Sequence, residues 1–133
     1  MQQKVENTNM CFVCGIKNPI GLKINFKMDG KICFGEFTGT ENHVGWNDTI
    51  HGGIIYSVLD DVTANLIYQL GRKAHTAKSS IRYRKPLFVG EKINLRSWII
   101  KEKNKLTILK GEARRNIDNT LIADCESSFI DSA

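Results

Sequence analysis

Between residues 20 and 26, apolar Leu22, Ile24 and Phe26 alternate with polar Lys23 and Asn25, the period-two pattern of a strand with one buried face. Asp29-Gly30 follows, and a second extended run carries Ile32, Phe34 and Phe37. A turn dipeptide between two such runs predicts a hairpin, so the first two strands are expected to be antiparallel neighbours. From Gly39 to Thr49 the periodicity is lost among Gly, Asn and Asp, with His43 and Trp46 the only large rings. A loop of about ten residues is expected there, a length commonly tied to function. The period then changes. Ile55, Val58, Leu59, Val62, Leu66 and Leu70 recur at three- and four-residue spacing, which predicts one long amphipathic helix over about residues 52–70, closed by Gly71. Beyond it the pattern returns to strands over residues 77–83, 92–101, 107–114 and 121–130. Turn signals at Lys85-Pro86, Lys103-Asn104-Lys105 and Asp118-Asn119 separate these runs, as an antiparallel meander requires.

Two strands, one helix and a run of strands predict an α+β fold in which the helix lays its apolar stripe on one curved antiparallel sheet. A sheet covered by a single helix leaves edge strands open, and pairing with a second copy closes them at little cost. With 133 residues and 41% hydrophobic side chains, one domain spanning 1–133 buries its own core without disulfides or metal. No repeat or linker divides it, and residues 1–19 form an N-terminal extension.

That extension holds Cys11-Phe12-Val13-Cys14-Gly15, the spacing of half a zinc site; Cys33 and Cys125 complete it only if the fold brings them there. The following Ile16-Lys17-Asn18-Pro19 reads as a turn, whereas a redox pair wants a helix to stabilise its thiolate. No metal is therefore expected. Residues 1–9 are polar and lack a basic-then-apolar signal region, and no apolar run is long enough to span a bilayer. A soluble cytoplasmic protein with reduced thiols is expected. The formal net charge is +5, from clusters at Arg72-Lys73, Lys78, Arg82 to Lys85, Lys101 to Lys105 and Arg114-Arg115. Such a surface suits an anionic partner. The interleaved aromatic and basic residues of a nucleic-acid stacking platform are missing.

His51-Gly52-Gly53 opens the helix. Glycine lets a ligand approach the backbone closely, and the first helical turn has N–H groups without intrahelical partners. Those donors, at the positive end of the helix dipole, suit a developing oxyanion. Further along stand Asp60 and Asp61. At about 100° per residue the two carboxylates lie on opposite flanks of the apolar stripe, and periodicity does not choose between them. Asp60 shares its flank with Tyr56, Thr63 and Ile67, the more apolar setting, and Asp61 lies nearer Ile54 and Asn65. A carboxylate at a partly desolvated border is suited to act as a base or nucleophile.

The run His51-Gly52-Gly53-Ile54-Ile55-Tyr56-Ser57-Val58-Leu59-Asp60 resembles the signature of hot-dog-fold acyl-CoA thioesterases of the phenylacetate-degradation type. In that family an acidic residue follows the histidine by nine positions. Cys11 to Gly15 with Asn18-Pro19-Ile20-Gly21-Leu22 resembles the N-terminal segment of one bacterial branch. Thr76 through Tyr83-Arg84-Lys85-Pro86 resembles the strand after the helix. The resemblance implies that Asp60 is the base or nucleophile toward a thioester carbonyl and that the Gly52 N–H binds the oxyanion. It implies that Thr76 positions water and that the loop before His51 contributes Asn47, with His51 completing the catalytic set. Gly53 and Asp61 are expected to border the substrate, while Arg82, Arg84 and Lys85 meet the phosphates of CoA. The implied partners are acyl-CoA and a second copy or a dimer of dimers, with no cofactor, nucleic acid or membrane. An alternative is a protein that binds acyl-CoA without turning it over. Dehydratases of the same fold have a Pro-rich loop after their histidine, and no proline lies between Pro19 and Pro86 here.

Overall fold

The computed structural model describes residues 8–132; most of the polar opening on which the expectation about an export signal falls, and Ala133, lie outside the described residues. The elements are β1 (Lys27–Asp29), β2 (Ile32–Thr38), a 3-10 turn (Glu41–His43), α1 (Gly52–Gln69), β3 (Ala74–Tyr83), β4 (Lys92–Lys103), β5 (Leu106–Arg115) and β6 (Leu121–Asp131). The six strands form one antiparallel sheet in the order β1-β2-β4-β5-β6-β3, and α1 lies across it in contact with β2, β4, β5, β6 and β3. This is the α+β arrangement that the pattern predicts. Among the described residues no helix is long and apolar enough to cross a membrane.

Local chemistry accounts for the punctuation. Gly30 turns the β1–β2 hairpin at φ 59°, and Asn104 and Asn119 take the same left-handed region in the hairpins of β4–β5 and β5–β6, where their short polar side chains are tolerated. Gly71 ends α1 at φ 77°. Its N–H donates to Tyr68 O at 2.9 Å and that of Arg72 to Ile67 O at 3.3 Å, the paired bonds of a Schellman cap.

Two expectations are corrected. The run over residues 20–26 is not a paired strand, and only Lys27–Asp29 joins the sheet. Lys23 at φ 56° breaks the pleat, and the donors at Leu22 and Ile24 go instead to the carbonyls of Phe12 and Val13, at 2.8 and 2.9 Å. Ile24 and Phe26 are still buried, so their apolar pattern reports burial and not pairing. The strands after the helix are also not a simple meander: β4, β5 and β6 follow one another, but β3 pairs with β6. The helix crosses the whole sheet, so the chain leaving it emerges at the edge opposite β1.

α1 buries Ile55, Val58, Leu59, Val62, Thr63, Leu66 and Ile67. Leu70, at the cap, is 50% exposed and falls off the stripe. Two small residues of the sheet let the helix come close. Buried Ser97 of β4 donates to Val62 O at 2.6 Å. Its neighbour across the ladder is Gly111, where a Cβ would stand 2.9 Å from Cys125 Sγ and 3.2 Å from Thr63 Cγ2. Gly111→Val is therefore expected to destabilise the chain by about 1–3 kcal/mol through overpacking, read as a lower urea midpoint at unchanged slope. An unchanged midpoint would show that helix and sheet are not in close register there.

Candidate active site

The loop ahead of α1 is tied down by backbone. His51 N–H donates to His43 O at 2.8 Å, Gly45 N–H to Thr49 O at 2.9 Å and Ile50 N–H to Leu87 O at 2.8 Å, and the His43 ring lies 5.6 Å from that of Phe37. His51 is the N-cap. Its Nδ1 accepts from Gly53 N–H at 2.8 Å, which puts the proton of the neutral ring on Nε2. Its carbonyl accepts from Ile54 and Ile55 at 3.0 and 3.2 Å. The N–H of Gly52 has no partner among the described residues. Helical geometry alone left Gly52 and Gly53 equivalent, and the histidine cap separates them.

Tyr83, not singled out in the sequence, completes this end. Its hydroxyl donates to Gly52 O at 2.8 Å, and its ring lies 3.4 Å from where a Gly52 Cβ would stand. The Gly52–Gly53 peptide is thus held at both its oxygen and its hydrogen, and the His51–Gly52 peptide at its oxygen. The direction of the open Gly52 N–H is set in advance. Alternation along β3 already sends Tyr83 to the face opposite Arg82 and Arg84. Its partner is a carbonyl, so no side-chain pattern announces the contact.

Two turns along α1, half-buried Asp60 accepts from Thr76 Oγ1 of β3 at 3.3 Å. Burial pushes the Asp60 carboxyl above the usual range, and the Thr76 hydrogen bond opposes part of that rise. The structure therefore brings Asp60 and Thr76 together at the edge of the sheet. Asn47 stands elsewhere. It is exposed and at φ 51° in the tight turn closed by Thr49 N–H to Trp46 O, with no hydrogen bond to Asp60 or Thr76 among the described residues.

Asp61 faces the other way, with Oδ1 3.6 Å from Cys11 Sγ. Desolvation raises its carboxyl, and hydrogen bonds from Cys14 and Cys11 counter this. Cys11, Cys14 and Asp61 are the one group of potential metal ligands among the described residues, their ligand atoms all within 4.8 Å of one another. Cys33 and Cys125 do not join it; both are buried beneath the helix.

Arg82 and Arg84 project from the sheet face away from α1 and line a cavity of about 500 Å³ with Lys110 and Trp98. Arg84 is held by Asp124 in a two-pronged pair at 3.1 and 3.0 Å, whereas Arg82 has no ion pair among the described residues. Lys85 is exposed beyond the end of β3.

One long helix laid across an antiparallel sheet, with a glycine-rich start and an acid at the sheet edge, defines the chain as a hot-dog-fold protein. A sequence model of the thioesterase superfamily matches residues 47–122, from the loop before α1 into β6, and the chain belongs to that superfamily. No curated protein sequence matches it. Among solved structures it is similar to a hypothetical thioesterase from Streptococcus pneumoniae TIGR4 crystallised with coenzyme A, at 13% identity over 83% of this chain and 86% of that one, TM-score 0.77. The PaaI protein of the E. coli phenylacetic acid degradation operon aligns at 18% identity over 84% and 81%, TM-score 0.78. Zebra fish thioesterase superfamily member 2 aligns at 17% identity over 95% and 92%, TM-score 0.78. At these identities the likeness is one of fold.

Proposed function

We propose that this chain hydrolyses an acyl-CoA thioester to the free acid and CoA, using Asp60 as base or nucleophile and the Gly52 N–H as oxyanion donor. The observation that carries the reading is the Asp60–Thr76 hydrogen bond at the open sheet edge, which holds a partly desolvated carboxylate where a substrate has access. Acting as base, Asp60 takes a proton from water as the water oxygen bonds to the thioester carbon. The carbonyl electrons move to oxygen, opposite the Gly52 N–H. The C–S bond then breaks and the CoA sulfur leaves with the electron pair. The hydroxyl of Thr76 orients the carboxylate or the water. This step needs no metal.

Helix geometry supports one way for the parts to combine. Gly52 and Asp60 are 60 − 52 = 8 residues apart on one helix, about 12 Å at 1.5 Å per residue. An aspartate side chain recovers only about 3 Å of that, two C–C bonds of about 1.5 Å. A base and an oxyanion donor serving one carbonyl must lie within about 7 Å of each other, since each works at about 3 Å from the reacting atoms. One helix cannot supply both to the same carbonyl. The site is therefore built from two copies, Gly52 of one with Asp60 and Thr76 of the other. β3 supports this arrangement: its outer edge is unpaired among the described residues, it is ten residues long and none of them is buried, and it carries Thr76. Antiparallel pairing of two β3 edges closes both sheets into one and seats the site at the joint.

Asn47, His51 and Gly53 then border the acyl thioester from the loop and helix start, where a cavity of about 370 Å³ is lined by His43, His51, Gly53 and Ser57. Arg82, with Arg84 and Lys85 beside it, receives the phosphates of CoA.

The test is direct. Purified protein is given acyl-CoAs of graded length, with aromatic members, and free thiol is followed. Turnover well above the protein-free rate for at least one substrate is expected. Tight acyl-CoA binding with no thiol release across the series would replace the enzyme with a sequestering protein.

A further inference from the structure

The N-terminal turn and the far flank of α1 bring together side chains that hydrolysis at Asp60 does not use. We propose that Cys11, Cys14 and Asp61 bind one divalent cation of the zinc class through two sulfurs and a carboxylate oxygen, with a fourth coordination position open to the neighbouring cavity.

Four observations carry this. The first is spacing. The three ligand atoms all lie within 4.8 Å of one another, and Asp61 Oδ1 stands 3.6 Å from Cys11 Sγ. A tetrahedral ion with metal–sulfur and metal–oxygen bonds of about 2.3 and 2.0 Å separates those two ligands by about 3.5 Å. The pair is already at the distance a shared ion requires.

The second is the backbone of the turn. Cys14 N–H points at Cys11 Sγ, at 3.4 Å, an arrangement that stabilises negative charge on sulfur. Gly15 N–H closes the turn on Cys11 O at 2.8 Å. A Cβ at Gly15 would stand 2.4 Å from both Asn9 O and Cys11 N, so only glycine lets the chain fold back this tightly. The loop is shaped to present both sulfurs to one point.

The third is Asp61 itself. Its Oδ2 is buried and has no hydrogen-bond partner among the described residues. An orphaned buried carboxylate oxygen is costly, and a bound cation removes that cost. The fourth is the donor set. Two sulfurs with one oxygen favour zinc-class ions over magnesium or calcium, which take oxygen ligands.

Cys11, Cys14 and Asp61 also line a cavity of about 940 Å³ with Ala64, Asn65 and Tyr68. Three protein ligands facing a cavity leave room for water or a small exogenous donor in the fourth position. Because Asp61 belongs to α1 and the cysteines to the N-terminal segment, a bound ion would also clamp that segment to the helix. This inference does not rest on the proposed hydrolysis: Asp60 lies on the opposite flank of the helix, and the readout below is optical.

The experiment uses the full-length chain, reduced, stripped with chelator and titrated with Co²⁺ without air. The expected result is a thiolate-to-cobalt charge-transfer band with intense tetrahedral d–d bands, saturating at one equivalent and bleached by Zn²⁺. Asp61→Asn is expected to weaken binding about 10-fold or more, and Cys11→Ser to cut the charge-transfer intensity to about half or less, since one of the two sulfurs is lost. Cys33→Ala should leave the spectrum intact. Circular dichroism confirms that each variant is folded. If Cys11→Ser fails to fold, Asp61→Asn together with the wild-type spectrum decides the matter. The proposal is overturned if folded wild type shows no saturable cobalt spectrum, or if Asp61→Asn binds as tightly as wild type. It is also overturned if Cys11 and Cys14 are recovered as a disulfide that reductant does not open.

Discussion

Asp60→Asn is expected to lower acyl-CoA hydrolysis about 10²- to 10⁴-fold, the contribution that a positioned base makes, while KM stays within a few-fold of wild type. The substitution changes no volume and retains an oxygen to accept from Thr76, which now stands 3.3 Å away. Stability should be equal or slightly higher, because the charged form of Asp60 is disfavoured by burial and the amide carries no charge to desolvate. The pairing of lost turnover with intact melting separates a chemical role from a structural one. Full activity in the folded variant would remove Asp60 from the reaction. A loss of melting temperature matching the loss of rate would reduce it to a structural residue.

What the sequence showed of this arrangement was its local part. The stripe from Ile55 to Leu66 and the Gly71 cap are set by contacts three to five residues apart, and pattern reads those well. The Asp29-Gly30 hairpin is local too, with β1 paired to β2 across it. Pairings over long separations were not legible. β3 lies beside β6 because the helix spans the sheet, and nothing in residues 74–83 announces that partner. Residues 20–26 carry the alternation of a strand, yet their donors turn to Phe12 and Val13 once Lys23 leaves the extended region.

The same division runs through the site. Periodicity left Asp60 and Asp61 equivalent, and their neighbours distinguish them: Thr76 of β3 for one, Cys11 and Cys14 of the N-terminal turn for the other. Half of a metal-ligand set was visible as Cys11-x-x-Cys14, but its third member is an aspartate fifty positions on and neither of the remaining cysteines. Gly52 and Gly53 were likewise a choice that needed coordinates, since the His51 ring engages Gly53 alone.

Gly52→Pro tests both the donor and the two-copy site. Proline has no N–H, and the first position of a helix is where it is best tolerated. The preceding His51 is at φ −58° and ψ 135°, a conformation that a following proline favours. The variant thus deletes one hydrogen-bond donor from the proposed site and leaves the helix in place. Loss of one oxyanion donor is expected to lower kcat about 10²- to 10³-fold. Co-expressing Gly52→Pro with Asp60→Asn then distinguishes the two possible assemblies. If each site takes Gly52 from one copy and Asp60 from the other, every mixed dimer contains one doubly damaged site and one intact site. Random assembly makes half of the dimers mixed, so about a quarter of the wild-type activity returns. If a single copy supplied both groups, every site would carry one defect and no activity would return. Measured hydrolysis by the co-purified mixture, against either variant alone, therefore reports directly on which chain holds the base and which the donor.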